Sequence, residues 1–348
     1  MAKKERNVEI DIIKGLCIIS IVFTHIGKPI LWFGFFMVYG FYFVAGYTFH
    51  EMPFLEFAKN KIYRIYIPFV VVNVLSVYIL RILSNICEKY SEANMNIMEN
   101  IKNSLMFNIT NGFMAPSWFL FPLFLILFIF YILNRYLKNE MIVLVFTAII
   151  FLLTHLFYDR LSVLQWCDCA FVNNVGSGLL IFNIGYLLKN KKHIEKKLFG
   201  GKYAIDAFVV CTIVMFYISN KVGLDLRAGY CSNTFYLIVA IWTGLYWCIF
   251  VSKFLAKSSI MSKILATVGR YSMSIMLFHI LAFSVATLAI HALCKLPYPQ
   301  YWAVAYSDGI YGIITGIVGV AVPMLVAVIA KEIKQFLGKR QWIGGIFL

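Results

Sequence analysis

Charged residues are scarce in this chain. Asp, Glu, Lys and Arg together make up 14% of its 348 residues, where a soluble globular domain carries about 25%. With 61% hydrophobic residues and a mean hydropathy of +0.81, it has too little polar surface for water and reads as an integral membrane protein. Long polar stretches are missing too, so the expected organisation is one transmembrane domain over 1–348 without a soluble appendage. Internal repeats and low-complexity tracts are absent, which removes direct support for an inverted-repeat transporter. The sequence holds no G-x-S-x-G elbow, no H-E-x-x-H, no P-loop and no G-x-G-x-x-G. Serine-hydrolase, zinc-protease and nucleotide-hydrolysing chemistries therefore find no motif here.

Acidic residues are the scarcer sign, 16 against 31 Lys and Arg, for a formal net charge of +15. Such an excess fits nucleic acid, anionic lipid or membrane topology, and its distribution decides among them. About 20 apolar residues span a bilayer, which places about ten helices near 10–28, 31–49, 64–85, 117–136, 140–157, 171–188, 203–219, 233–251, 268–290 and 309–332. With the N-terminus inside, about 23 of the Lys and Arg fall on the inner side and about 8 on the outer, a strong positive-inside asymmetry. The charge sets topology and calls for no nucleic-acid partner. The expected fold is an all-α, polytopic bundle with both termini cytoplasmic. Lys3, Lys4 and Arg6 before an apolar run imitate a secretory leader, but Asp11 and Lys14 stand at the start of that run and no small-x-small cleavage site follows. The run reads as a retained first helix.

Of eight cysteines, Cys17, Cys211 and Cys248 fall within spans, while Cys87, Cys167, Cys169, Cys231 and Cys294 lie toward the outer face. Outer disulfides are open, their pairing is not fixed by sequence, and the odd number leaves a thiol over. Cys167-x-Cys169 lacks the second half of a zinc pattern, so no metal is expected.

The first helix carries three ionisable groups in DIIKGLCIISIVFTH. At 100° per residue, Lys14 and His25 lie about 20° apart around the helix and Asp11 about 40° from the same line. One polar face results, with His25 about 16 Å beyond Lys14, in the outer half of a core about 30 Å thick. Asp11 suits a helix N-terminus and Lys14 can snorkel to the headgroups. His25 either bonds a neighbouring helix or serves as an intramembrane functional group, for which a general base is the natural role.

Other stretches carry chemistry less specifically. In KNKIYRIYIPF (59–69), Lys61 and Arg64 stand one turn apart at the inner mouth of the third helix. They read either as topology flanks or as a phosphate grip. GFYFVAGYTF (40–49) offers Tyr42 and Tyr47, with Gly40 and Gly46 for close packing. Trp118 in APSWFLFPLF suits an interfacial belt. VGRYSMSIMLFH (268–279) sets His279 about 14 Å beyond Arg270, a second intramembrane histidine; His50, His155, His193 and His291 rank below it. Residues 86–116 are polar and Asn-rich, with Ile97, Ile101, Leu105 and Met106 at helical spacing. They predict an amphipathic helix on the membrane, acting as a cover or a lid. Residues 52–63 form an inner interfacial candidate, and the basic loop KNKKHIEKKLFGGK reads as a topology determinant able to touch anionic lipid.

Taken in order, these pieces resemble the bacterial integral-membrane acyltransferase family 3, the O-acyltransferases of cell-surface polysaccharides. The resemblance rests on Arg6, Asp11, Lys14-Gly15 and His25, with ten residues between Lys14 and His25 where the family more often begins with Arg. It continues through Phe43-Val44-Ala45-Gly46-Tyr47, with Ala45 where Ser is common, then Lys61, Arg64 and Pro68, Trp118-Phe119-Leu120, and Gly269-Arg270-Tyr271-Ser272 with His279. It covers the whole chain, and about ten helices is the count it implies.

The resemblance further implies a multi-pass protein of a bacterial cytoplasmic membrane, with acetyl-CoA or another acyl-CoA as donor and a hydroxyl-bearing glycan or small molecule as acceptor. His25 is then the catalytic residue, aided by Asp11 and Lys14. Lys14, Lys61, Arg64, Arg6 and Arg270 handle the donor, and Tyr47, Trp118 and His279 the acceptor. Whether His25 is a general base or carries the acyl group stays open; general base is preferred. The competing reading is a transporter of a small polar solute, supported by the polar path and the helix count. Coupled transport usually shows a deep Asp or Glu, and none lies deep in the spans. A pure scaffold would leave the first-helix stripe unexplained.

Overall fold

The computed structural model describes residues 7–27, 37–85, 96–157, 169–219, 221, 224–225, 230–231, 233–299 and 305–338. Arg6, Cys87 and Cys167 lie outside them. The described chain is helical except for a two-residue antiparallel ladder, Leu224–Asp225 with Tyr230–Cys231. Its α-helices are α1 Val8–His25, α2 Met37–Tyr47, α3 Phe54–Lys61, α4 Ile67–Ser84, α5 Ile97–Leu105, α6 Leu120–Leu137, α7 Glu140–Leu156, α8 Cys169–Asn190, α9 Lys192–Gly200, α10 Ala204–Ser219, α11 Thr234–Leu255, α12 Ser259–Arg270, α13 Ser272–Cys294 and α14 Gly309–Gly338. Among the described residues six helical runs are long and apolar enough to cross a membrane, seven if the bent pair α9–α10 counts as one. The expected ten also included α1, which carries Glu9, Asp11 and Lys14, α2, whose described helix has 11 residues, and α7, which has 17. Among the described residues Cys17, Cys211, Cys248 and Cys294 hold free thiols.

The helices form two compact units. The first gathers 1–21, 30–51 and 122–270. In it α2 and α8 approach backbone to backbone. The carbonyl of Phe182 occupies the place where Gly46 would carry a Cβ, and the carbonyl of Phe43 does the same at Gly185. Lipid supplies no hydrophobic drive between helices, so close approach of small residues must supply the packing. Gly15 meets the carbonyl of Leu265 and Gly269 that of Asp11, which seats α1 on α12 in the same manner. Asn139 and Asn233 cap α7 and α11, each accepting from two backbone N–H groups of the first turn. The stretch 189–202, expected as a loop, contains α9, set 78° from α10. Ile194 and Leu198 share one face of α9, with Lys192, Glu195, Lys196 and Phe199 on another, a helical period inside what reads as a charge run.

The second unit gathers 22–29, 52–121 and 271–348. Here α3 runs into α4 through a π-helical turn, Ile62–Tyr66. One run of 31 residues, Phe54–Ser84, thus replaces the separate interfacial segment and span expected there. Pro68 directly follows the π-helical turn within this run and has no N–H to give to the backbone ladder there. The amphipathic segment forms α5, capped by Asn96. Its polar Asn100 and Ser104 are buried, while Leu105 (53%) and Met106 (59%) are exposed, the orientation of a helix whose apolar side meets lipid. Fully buried Asn73 of α4 clasps the following strap, donating to the Asn108 carbonyl at 2.7 Å and accepting from the Thr110 hydroxyl at 2.7 Å and its N–H at 3.3 Å. The predicted helix 268–290 is divided at Tyr271 between α12 and α13.

Candidate active site

The second unit joins the two intramembrane histidines. His25 ends α1, and His279 lies on α13, fully buried at 0% exposure. His279 Nδ1 stands 2.9 Å from the carbonyls of both Ile275 and Met276. Carbonyl oxygens only accept, so Nδ1 carries the proton and Nε2 the lone pair. His25 Nδ1 lies 2.8 Å from that Nε2. In the neutral pair, His25 therefore donates from Nδ1, and its own lone pair is on Nε2. The rings are 5° from parallel with centroids 5.0 Å apart. The edge of Phe283 meets His279 at 5.5 Å. Gly319 of α14 makes room for Phe283 and Val22, and Gly316 for Phe23, so the ring behind His279 and the last turns of α1 rest against the same small-residue face.

The remaining predicted residues are placed as follows. Asp11 and Lys14 form an ion pair at 2.6 Å, one turn apart on α1, with Asp11 buried. Lys61 lies over the Phe57 ring at 5.3 Å, close enough to Arg64 for the two cations to repel each other. Two neighbouring cations of this kind suit a polyanion. Arg270 turns back on its own helix, with Nε on the Ala266 carbonyl at 3.2 Å and Nη2 on the Thr267 hydroxyl at 2.6 Å. Trp118 lies in a 3₁₀ segment, Gly112–Phe119, with its ring edge-on to Phe119.

Tyr47 enters a charged network of the first unit that the sequence reading missed. Its hydroxyl donates to Glu195 Oε2 at 3.2 Å and accepts from Lys192 Nζ. Lys192 Nζ also meets Glu195 Oε2 at 2.6 Å, and Lys253 bridges Glu195 Oε1 and Glu9 Oε2 at 2.8 Å each. Burial pushes the Glu195 carboxyl up, yet hydrogen bonds from Lys192 and Lys253 outweigh it and hold the group below the ordinary carboxylate value. The signal available was Glu195 itself, the one acid within the basic run 189–202. Also in the first unit, His155 Nδ1 bonds the Phe151 carbonyl at 2.9 Å and Nε2 faces the Ser177 hydroxyl at 3.3 Å, tying α7 to α8. Among the described residues no three His, Cys, Asp or Glu side chains are grouped to hold a metal ion.

A family model described as an acyltransferase domain matches residues 7–331. No curated protein and no solved structure matches the chain.

Proposed function

The chain belongs to acyltransferase family 3, and on that premise we propose a membrane O-acyltransferase. In this reading it moves an acyl group, acetyl in the simplest case, from cytoplasmic acyl-CoA to a hydroxyl of a cell-surface glycan or related acceptor at a bacterial cytoplasmic membrane. The observation that carries the proposal is the backbone-oriented pair His279–His25. His25 Nε2 takes the proton of the acceptor hydroxyl as its oxygen attacks the thioester carbonyl. The C–S bond then breaks, and the departing sulfur takes that proton from His25. Throughout, Nδ1–H of His25 stays bonded to His279 Nε2, which fixes the ring as a carboxylate does in a hydrolase triad. His279 thus acts as a positioning residue, where the sequence reading placed it at the acceptor.

For the donor, Lys61 and Arg64 are proposed to grip the CoA phosphates, Arg64 in bidentate fashion. Lys14, Arg6 and Arg270 complete the donor set on charge alone, with Asp11 orienting Lys14. Trp118 is proposed for the acceptor, and Tyr47 is not: its hydroxyl is engaged by Lys192 and Glu195 in the network that reaches Glu9, about 24 Å along α1 from His25. The test uses purified protein in liposomes with labelled acetyl-CoA, following CoA release for wild type and His25→Ala. Loss of about 10²–10⁴-fold in the variant is expected. No CoA release from either protein, with labelled solute crossing the membrane, would establish the transporter reading instead.

A further inference from the structure

A charged cavity of the first unit takes no part in the proposed acyl transfer. It measures about 430 Å³, within the range of about 300–1,000 Å³ typical of small-ligand sites. Six side chains matter in its lining: Glu9, Lys192, Glu195, Lys196, Phe199 and Lys253. Three ammonium groups therefore face two carboxylates. Most of these charges already satisfy one another, since Glu195 engages both oxygens and Lys253 spans two carboxylates. Besides Lys192, whose side chain is 61% exposed, two groups keep capacity for a ligand. Glu9 uses Oε2 for Lys253 and has a second oxygen, on a side chain 34% exposed. Lys196 is exposed and makes no ion pair among the described residues.

A simple anion would meet the carboxylates here, and a simple cation the lysines. The complementary ligand carries a phosphate and an ammonium a short distance apart. The cavity is also built to persist. The Phe199 ring packs at a 30° tilt against Tyr246 with centroids 4.9 Å apart, and the Tyr246 hydroxyl donates toward the carbonyls of Leu198 and Ala204 at 3.0 Å each, fixing the turn between α9 and α10. Exposed apolar residues flank the charged ones: Ile194 and Leu198 form the face of α9 turned away from Lys196, and Phe254 follows Lys253 in the chain. A short helix with such faces lies in the plane of a membrane interface.

We propose that this cavity holds the headgroup of an aminophospholipid of the phosphatidylethanolamine type. The phosphate rests on Lys196, the primary ammonium donates to Glu9, and the acyl chains pass over Phe254 toward the membrane side that Ile194 and Leu198 face. The proposal is independent of the acyl-transfer reading.

Native mass spectrometry of the full chain, with dioleoyl phosphatidylethanolamine, phosphatidylcholine and phosphatidylglycerol added at equal concentration, tests it. One phosphatidylethanolamine should be retained over each of the others by up to about fivefold, the size of one exposed ion pair. Phosphatidylcholine has no N–H to donate, so Glu9→Gln should abolish the preference over it. Lys196→Gln should weaken phosphatidylethanolamine and phosphatidylglycerol alike. Lys196 is a surface residue with no ion pair among the described residues, so this variant should keep the wild-type size-exclusion profile. Tighter binding of phosphatidylglycerol in the wild type, or a preference unchanged by Glu9→Gln, would overturn the proposal. Displacement of the lipid by adenosine 3′,5′-bisphosphate at equal concentration would overturn it too, and reassign the cavity to a soluble phosphate ester.

Discussion

Replacing His279 by leucine removes one thing from the reaction, the acceptor that holds His25 Nδ1–H. The leucine fills a site that is fully buried at His279, so water does not substitute easily. Leaving a buried donor without a partner costs about 1–3 kcal/mol, and the ring is then free to turn Nε2 away from the reacting hydroxyl. Expressed in the transition state, that is a loss of about 5- to 150-fold in kcat, with the KM for acyl-CoA little changed. His279→Gln places a carboxamide oxygen near the former Nε2 and should recover much of the loss. The assay is CoA release from liposome-embedded protein, for wild type, both single variants, His25→Ala and the double variant His25→Ala/His279→Leu. Because His279 is argued to act only through His25, the double variant should be no slower than His25→Ala alone. A double variant slower by the full His279→Leu factor would refute the reasoning, as would equal losses in His279→Leu and His279→Gln.

Arg64→Ala should raise the KM for acyl-CoA by about 10-fold or more, the worth of a charge-assisted hydrogen bond, and leave the acceptor KM near wild type; an equal rise in both would contradict phosphate binding. Gly46→Ala drives a methyl into the Phe182 carbonyl and should destabilise by about 1–3 kcal/mol, seen as a lower midpoint in fluorescence-detected size-exclusion melting; an unchanged midpoint would mean that α2 and α8 yield freely. Asn73→Leu unties the strap at Asn108 and Thr110 and should speed amide exchange in residues 97–111 well before the helices α13 and α14; unchanged exchange there would show that the clasp does not hold the segment.

Periodicity made the first helix legible. Steps of 100° placed Asp11, Lys14 and His25 on one face, and α1 spans Val8–His25 much as the apolar run suggests. The role of Gly46 as a point of close approach was equally open to reading, since lipid leaves small residues few other uses. Partners distant in sequence were not. His25 and His279 are 254 positions apart, and a helical period tells which residues share a face but not which face meets it. Glu195 was hidden for another reason. In a run of lysines one acid reads as charge balance, and only the turn of α9 brings it to Lys253. The break at Tyr271 went unread although Gly269 stands two positions before it, because an isolated glycine inside a helical pattern is tolerated and does not by itself mark an end. In α5 the period was read correctly, and the exposed Leu105 and Met106 with buried Asn100 and Ser104 give the orientation that a helix lying on the membrane requires.

The histidine pair also bears on how the protein is made. An active-site base is commonly steadied by a carboxylate, and an aspartate at a helix centre adds about 2.5–3.5 kcal/mol to the insertion of that helix. The chain uses an imidazole instead, oriented by carbonyls of its own helix, and α13 contains no Asp, Glu, Lys or Arg at all. It can therefore enter the bilayer as an ordinary apolar segment before any partner helix has arrived. In the proposed reaction, charge on this pair exists only while a proton is in transit, so biogenesis and catalysis make no opposing demands on the same residue.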